Sequence, residues 1–331
     1  MGDNGTLMNR REARRIFIFG IGCLFLLIIT GLGAKSNQGQ SNREAEGGRL
    51  LKGAIDMHFH MDPRLADGAH DEAVIETIRI AQARGIRALV IKSHYEPTST
   101  LAYHLRLELP NIGLFGGVVM NRANGGMNVA AVEHMATGIY GAPGKVVWMP
   151  ANDSEIESNP PYPKKPFVAV SRDGKLLPET MDVIAAIAKY DLILASGHIA
   201  PQEALLVFGE ARSRGVRRMI ATHAMDLAGK MNMEQMLEAA KLGAIVEFDF
   251  RNITDESGVR MEAIRKIGPE RCLISEFWTQ KSPRVYAGLE RVGQVVDAMH
   301  ARGFTDRELD MMFKENPARL LDLSSTERVV Q

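Results

Sequence analysis

The chain has 331 residues, 45% of them hydrophobic and 24% charged, which excludes both a disordered chain and a fibrous one. Lys plus Arg and Asp plus Glu each number 40, so the formal net charge is zero and nothing in the balance suits nucleic acid. Of the two cysteines, Cys23 lies in an apolar run and Cys272 opens a buried strand; they make no disulfide framework, and Cys272 reads as a small core residue.

At the N-terminus Arg10, Arg11, Arg14 and Arg15 precede an apolar run from Ile16 to Ala34, the layout of an export signal. Arg14-Arg15-Ile16-Phe17-Ile18 also resembles the twin-arginine pattern, with Ala13 where Ser or Thr is usual. Left uncleaved, residues 16–34 are just long enough to anchor the chain in a bilayer, with the basic residues inside. On either reading the catalytic part is expected outside the cytoplasm, periplasmic or extracellular, or held there at the membrane. Lys35 to Asn42 is polar and aperiodic and reads as a linker. Residues 1–48 are therefore expected to be a signal or anchor segment plus linker, and 49–331 one folded domain.

From Gly53 onward short apolar runs alternate with longer amphipathic stretches. The expected strands are Gly53–His58, Ala88–Lys92, Gly113–Met120, Lys145–Met149, Leu192–Ala195, Arg218–Thr222, Ala244–Phe248 and Cys272–Ser275. They are rich in Val, Ile and Leu without alternation, as strands buried on both faces should be. Expected helices follow each in turn: Glu72–Arg84, Thr100–Leu109, Asn128–Thr137, Pro178–Lys189, Gln202–Arg214, Met233–Leu242, Val259–Ile267 and Val285–Arg302. Eight β/α units in series predict a closed (β/α)8 TIM barrel; an open doubly wound sheet would want a glycine fingerprint after the first strand, and none stands there. Residues 152–177 interrupt the pattern after the fourth strand, with a hairpin expected around Asp173-Gly174 that would stand over the barrel mouth. Thr305 and Glu308 form a capping-box pattern that opens an extra C-terminal helix, expected to stop before Asn316-Pro317.

Such barrels build their sites at the C-terminal strand ends, and the polar residues gather there. The first strand runs into His58 and His60, two apart and so pointing the same way from an extended strand. Lys92 and His94 close the second strand, Asn121 and Arg122 follow the third, and His198 and His223 end the fifth and sixth. Glu247 and Asp249 end the seventh, and Glu276 ends the eighth. Four histidines from three strand ends of one barrel suggest a metal site rather than separate core residues. His104, His134 and His300 fall inside expected helices and His70 in a loop, so these four carry no chemistry. Trp148 reads as packing.

The His58/His60 pair, the single His198 and His223, and the acid on strand eight resemble the amidohydrolase superfamily of metal-dependent hydrolases. Local phrases are similar to a little-characterised family of unknown function within it. They are Ile91-Lys92-Ser93-His94-Tyr95-Glu96-Pro97-Thr98, Val147-Trp148-Met149-Pro150, Ser196-Gly197-His198 and Asn316-Pro317-Ala318-Arg319-Leu320-Leu321. The resemblance implies that His58 and His60 bind a buried metal and that His198 and His223 hold a second, more exposed one. It implies that Glu276 binds metal and takes the proton of the attacking water, whose pKa a divalent cation lowers to about 7. Zinc suits the histidines, with manganese, nickel or iron as alternatives, and one or two ions.

Two departures stand out. The strand-eight acid of the superfamily is usually aspartate, not glutamate, and strand four offers no lysine to bridge two metals. Lys92 on strand two is the stand-in bridge, or else a buried cation paired with Glu96 or Glu247. Arg122 is a clamp for a substrate carboxylate, His94 and Asn121 are further substrate contacts, and Glu247 is a substrate contact or the carboxylate that orients a ligand histidine. The expected activity is hydrolysis of a C–N, C–O or P–O bond in a small molecule: an amide, lactone, ester or phosphoester. A decarboxylase or lyase on the same barrel is the alternative enzyme; a catalytically impaired, exported metal- or ligand-binding protein is the alternative outside catalysis. The partner is a small-molecule substrate, and the sequence is also compatible with a homo-oligomer.

Overall fold

The computed structural model describes residues 39–61, 71–138, 144–226, 230–255, 257–277 and 288–323. Cys23, the apolar run 16–34, His70 and the start of the expected helix Val285–Arg302 lie outside them. Among the described residues no helix is long and apolar enough to cross a membrane.

Eight parallel strands form the barrel: β1 (Ile55–His60), β2 (Ala88–Lys92), β3 (Gly113–Val119), β4 (Gly144–Trp148), β7 (Ile193–Ala195), β8 (Met219–Ala221), β9 (Ala244–Asp249) and β10 (Cys272–Ser275). They are ordered as in the chain, and β10 returns against β1. Helices α2 (Asp71–Ala83), α3 (Ser99–Glu108), α4 (Val129–Thr137), α5 (Pro178–Lys189), α6 (Pro201–Ser213), α7 (Met233–Leu242), α8 (Val259–Ile267) and α9 (Leu289–Ala301) follow the strands. This is the expected (β/α)8 barrel. Apolar side chains sort into two cores. Ile55, Met57, Val90, Phe115, Val146, Trp148, Ile193, Ile220 and Leu273 fill the barrel interior, while alternate residues such as Leu89, Leu114, Val147 and Leu194 pack under the helices. Trp148 is packing, as expected, and Gly117 makes room for it: a Cβ there would lie 2.3 Å from the indole.

The hairpin after β4 is present, Ser171–Arg172 (β5) pairing with Lys175–Leu176 (β6). Asp173 and Gly174 take φ of 52° and 72°, the left-handed pair that a two-residue turn of this hand needs.

Two readings are corrected. The linker expected over Lys35–Asn42 is helical from residue 39: helix α1 spans 39–51 and buries Leu50 and Leu51. Its apolar positions cluster only in the last turn, so the polar start carried no periodic signal. The extra helix does open on the capping box, with Glu308 N–H donating to Thr305 Oγ1 and Thr305 N–H donating to Glu308 Oε2. It does not stop before Asn316-Pro317, however. α10 (Asp306–Asp310) runs through a π turn (Met311–Glu315) into α11 (Asn316–Leu321). A proline ring clashes with the carbonyl four residues back, here Phe313, and the wide turn is placed there. Ala318, Leu320 and Leu321 join the interior core, and Asn316 Nδ2 donates to Cys272 O and Pro269 O, closing the barrel end remote from the histidines. Cys272 is the buried core residue expected.

Candidate metal centre

The first strand does more than alternate. Between Asp56 and Phe59 its register with β2 slips: Asp56 pairs with Leu89 and Phe59 with Ile91, one extra residue on β1. Ile55 and Met57 lie in the interior core, whereas Phe59 lies under the helices. The bulge therefore changes the parity and gives His58 and His60 the inward face. Asp56, buried, fixes this point: its Oδ1 accepts the N–H of His58 and that of Glu276, each at 3.0 Å, and so ties β1 to the end of β10.

His58, His60, His223 and Glu276 converge, with one ligand atom from each lying within 4.8 Å of all the others. Glu276 Oε1 lies 2.9 Å from His60 Nε2, 3.6 Å from His223 Nε2 and 3.8 Å from His58 Nε2. Lys92, fully buried, puts Nζ 2.8 Å from His58 Nε2 and 5.5 Å above the Trp148 ring. Glu96 is exposed and does not serve it. Behind the cluster Glu247 faces His58 Nδ1 at 3.1 Å, accepts the His223 N–H at 3.3 Å and accepts the Ser275 hydroxyl. With Lys92 as an ammonium, His58 Nε2 accepts and Nδ1–H donates to Glu247. A glutamate so placed, once a bound cation favours its ionised form, is the group behind a ligand histidine that fixes its tautomer.

Burial shapes the charges. It depresses the pKa of His58 well below the usual value, with Lys92 adding to the effect, and does the same to His223 against the opposing pull of Glu276. Neutral imidazoles are what a cation binds. Burial, aided by the nearby negative Glu276, pushes Glu247 up to about 8 and Asp249 up to about 6. Burial also opposes ionisation of Glu276, but His223, His60 and Arg251 outweigh it and hold this carboxyl well below the usual range. The donor set fits a divalent cation: three imidazole nitrogens and an ionised carboxylate, with Nε2 of His198 and Nδ1 of His223 buried without a hydrogen-bond partner.

The remaining candidates fall into place unequally. His198 stands at the edge of the cluster, its ring centroid 5.7 Å from that of His223; the geometry groups His223 with His58, His60 and Glu276 instead. His94 stacks on His60, centroids 4.9 Å apart. Asn121 is a brace: its Nδ2 donates to His94 O, and its Oδ1 accepts from Ala151 N and Asp153 N. Arg122 is exposed and lines a cavity of about 500 Å³ with Gly126, Met127, Phe167 and Val168, under the insertion. His104 and His134 are exposed and His300 meets Asp306 on the surface, as expected of residues without a role.

Sequence reasoning missed three groups. Asp56 looks like any polar residue before the histidines, because the bulge that makes it useful has no sequence signal. Arg251 pairs with Asp249 and Glu276 from the turn after β9. Glu157, in the 3-10 turn Ile156–Ser158 of the insertion, places Oε1 2.8 Å from His198 Nδ1; the proline-rich stretch around it has no period from which to read a direction.

Comparisons with known proteins agree with this fold. An organophosphorus hydrolase from Deinococcus radiodurans superposes with a TM-score of 0.56 at 17% identity, covering 81% of this chain and 92% of its own. A multiply substituted PTE-like lactonase from the same organism gives 0.55 at 17%, covering 81% and 95%. A structure described as engineering organophosphate hydrolysis from a weak promiscuous lactonase template gives 0.55 at 18%, covering 83% and 96%. At such identities the likeness is one of fold. No curated protein matches the sequence. A family model matches residues 53–247, from the first barrel strand to Glu247 itself, and the chain belongs to that family, the family of unknown function DUF6282.

Proposed function

We propose that the protein is a metal-dependent hydrolase of the amidohydrolase superfamily, acting on an ester, lactone or phosphoester bond of a small molecule. One observation carries the reading: three imidazole Nε2 atoms from β1 and the end of β8 face one oxygen of Glu276, at the C-terminal ends of the strands. The hydrolase and lactonase activities named for the structural neighbours support ester-like over amide substrates. His58, His60, His223 and Glu276 would hold the ion, with zinc favoured by the three nitrogens. A divalent cation there supplies Lewis-acid activation of water and of the substrate oxygen.

The side chains do the rest. Glu276, ionised, is the base that takes a proton from the attacking water. Its extra methylene relative to aspartate is accommodated by its backbone: φ is 57°, and Asp56 holds its N–H, so Oε1 arrives among the imidazoles. Glu247 keeps His58 in the tautomer whose Nε2 faces the cluster; the Lys92 N–H that Nε2 accepts would give way to a bound ion, leaving Lys92 buried beside it. The basic-then-apolar N-terminus supports an exported or anchored barrel.

Metal content of the purified protein, beside a His58→Ala/His60→Ala variant, tests the reading. Near-stoichiometric metal in the parent, lost in the variant, with turnover on a lactone or phosphotriester panel, is expected. No metal after reconstitution with zinc or manganese would overturn it. Full metal occupancy without turnover would favour a binding protein, and carbon dioxide release without water consumption a decarboxylase.

A further inference from the structure

Glu276 stands where the resemblance to the superfamily would put an aspartate, and a glutamate carries one more side-chain torsion. The last torsion is soft and roughly two-fold, so nothing within the side chain decides which oxygen faces the imidazoles. The structure nevertheless separates the two. Oε1 lies 2.9 Å from His60 Nε2, 3.6 Å from His223 Nε2 and 3.8 Å from His58 Nε2, while Oε2 meets the guanidinium of Arg251.

Arg251 stands in the turn that follows β9, and that turn is stitched to the end of β10. Asp249 pairs in register with Ser275, and Phe250 N–H donates to Ser275 O at 2.9 Å, which brings the turn beside Glu276. Within the turn Arg251 N–H donates to Asp249 Oδ1 at 2.8 Å, and Arg251 Nε donates to both oxygens of that buried carboxylate at 2.9 Å. Nη2 reaches Asp249 Oδ2 and Glu276 Oε2 together. A planar guanidinium with donors at fixed angles can serve two carboxylates at once; an ammonium is a point charge without that geometry. The next residue fixes the turn further: Asn252 N–H donates to Asp249 O at 3.1 Å, and its Nδ2 donates to Asp226 Oδ1 at 3.0 Å. The Arg251 side chain is 42% exposed and that of Glu276 5%, so the guanidinium meets the carboxylate from the solvent side.

We propose that Arg251 is the positioning residue of Glu276: its guanidinium, locked by Asp249, holds Oε2 and so presents Oε1 to the metal-binding imidazoles. This rests on the proposed metal-dependent function. It also gives a glutamate at this position a physical sense, because the additional torsion is fixed from outside. Charge and geometry act on a bound cation in opposite directions here. As a charge, Arg251 repels a divalent ion, and its removal would tighten binding. As a positioning residue it readies the carboxylate, and its removal weakens binding by ~10–100-fold, the loss usual for a partner behind a metal ligand. The sign of the change tells the two apart.

The test is zinc titration of the full-chain apoprotein against a chromophoric chelator, with circular dichroism and melting as checks of folding. Wild type, Arg251→Gln, Arg251→Lys, Glu276→Gln and Arg251→Gln/Glu276→Gln are compared. Zinc affinity is expected to fall ~10–100-fold in Arg251→Gln, and to fall in Arg251→Lys as well, since lysine keeps the charge and loses the fork. In the Glu276→Gln background, where three histidines remain to hold zinc, removing Arg251 should cost nothing further, because it acts through the carboxylate. Unchanged or tighter binding in Arg251→Gln, while wild type takes zinc, would overturn the proposal and leave the proposed function standing. Wild-type affinity in Arg251→Lys, or a loss of equal size in the Glu276→Gln background, would do the same. No zinc in wild type would overturn both.

Discussion

His223 and Glu276 carry a backbone conformation that side chains with a Cβ avoid, φ of 46° and 57°, and both belong to the metal cluster. Left-handed residues other than glycine cost roughly 1–2 kcal/mol each, and such strain gathers at functional sites. The structure keeps it because Glu247 holds the His223 N–H and Asp56 that of Glu276. Glycine should relieve the strain where alanine cannot. In chelator-treated protein His223→Gly should therefore melt above His223→Ala, by the equivalent of about 1 kcal/mol, although both lose the ligand. Equal melting temperatures would mean that the strain is not there. Glu247 gives a second residue-level prediction. Its pKa of about 8 in the folded chain stands above an ordinary value of 4.5. Between those limits the folded protein keeps a proton that the unfolded chain has released, so raising the pH through that window lowers stability. Glu247→Gln has no proton to lose. The stability advantage of the metal-free parent over this variant should shrink from pH 5 to pH 8, followed by thermal melting in chelator; a constant or widening gap would refute the assignment. That the strand-end histidines gather at one face was legible in the sequence, because strand-end position alone brings residues of several β/α units together; how they divide was not, His223 standing with His58 and His60 rather than with His198. Where Asp56, Arg251 and Glu157 point was not, since a bulge, a turn and an aperiodic loop leave no periodic trace.

At the scale of elements the same contrast recurs. The long apolar periods identified eight strands and eight helices, and Pro178–Lys189, Met233–Leu242 and Val259–Ile267 fall where the pattern puts them. Helix α1 escaped because what docks it is small rather than apolar. A Cβ on Gly47 would lie 2.1 Å from Leu289 O, and one on Gly293 would lie 2.1 Å from Arg43 O, so α1 and α9 approach backbone to backbone. Arg43 and Asp297 pair beside this crossing, too exposed to contribute much. Alanine usually stabilises a helix relative to glycine by about 0.5–1 kcal/mol. A methyl group on Gly209, within α6, would meet nothing within 4 Å beyond its own helix backbone, and Gly209→Ala should raise the melting temperature. Gly47→Ala should lower it, because forcing atoms into a packed contact costs about 1–3 kcal/mol. Calorimetry on the two variants compares opposite signs for one chemical change; two shifts of the same sign would show that α1 does not dock as described.

For the whole molecule the cluster acts as a clasp. Its ligands come from β1, from the turn after β8 and from the residue after β10, and β10 and β1 are the strands at which the barrel closes. Among the described residues Glu276 N–H to Asp56 spans the seam, and at the opposite end α11 packs against both strands and holds the start of β10 through Asn316. An ion held by these residues binds the closed barrel and not the unfolded chain, so it stabilises by mass action, about 4 kcal/mol when free metal is a thousandfold above the dissociation constant. For a domain of this size that corresponds to roughly 10 °C in melting temperature. Zinc-loaded protein should therefore melt about that much above the chelator-treated form, and His58→Ala/His60→Ala should melt at one temperature in both conditions. Truncating α11 should lower both wild-type curves together and leave their separation unchanged, because the brace and the clasp close opposite ends of the same seam. If instead zinc leaves the melting of the intact barrel unmoved, the four residues are not a clasp, and the seam is held by the Asp56 hydrogen bonds and by the packing of α11 on the interior core.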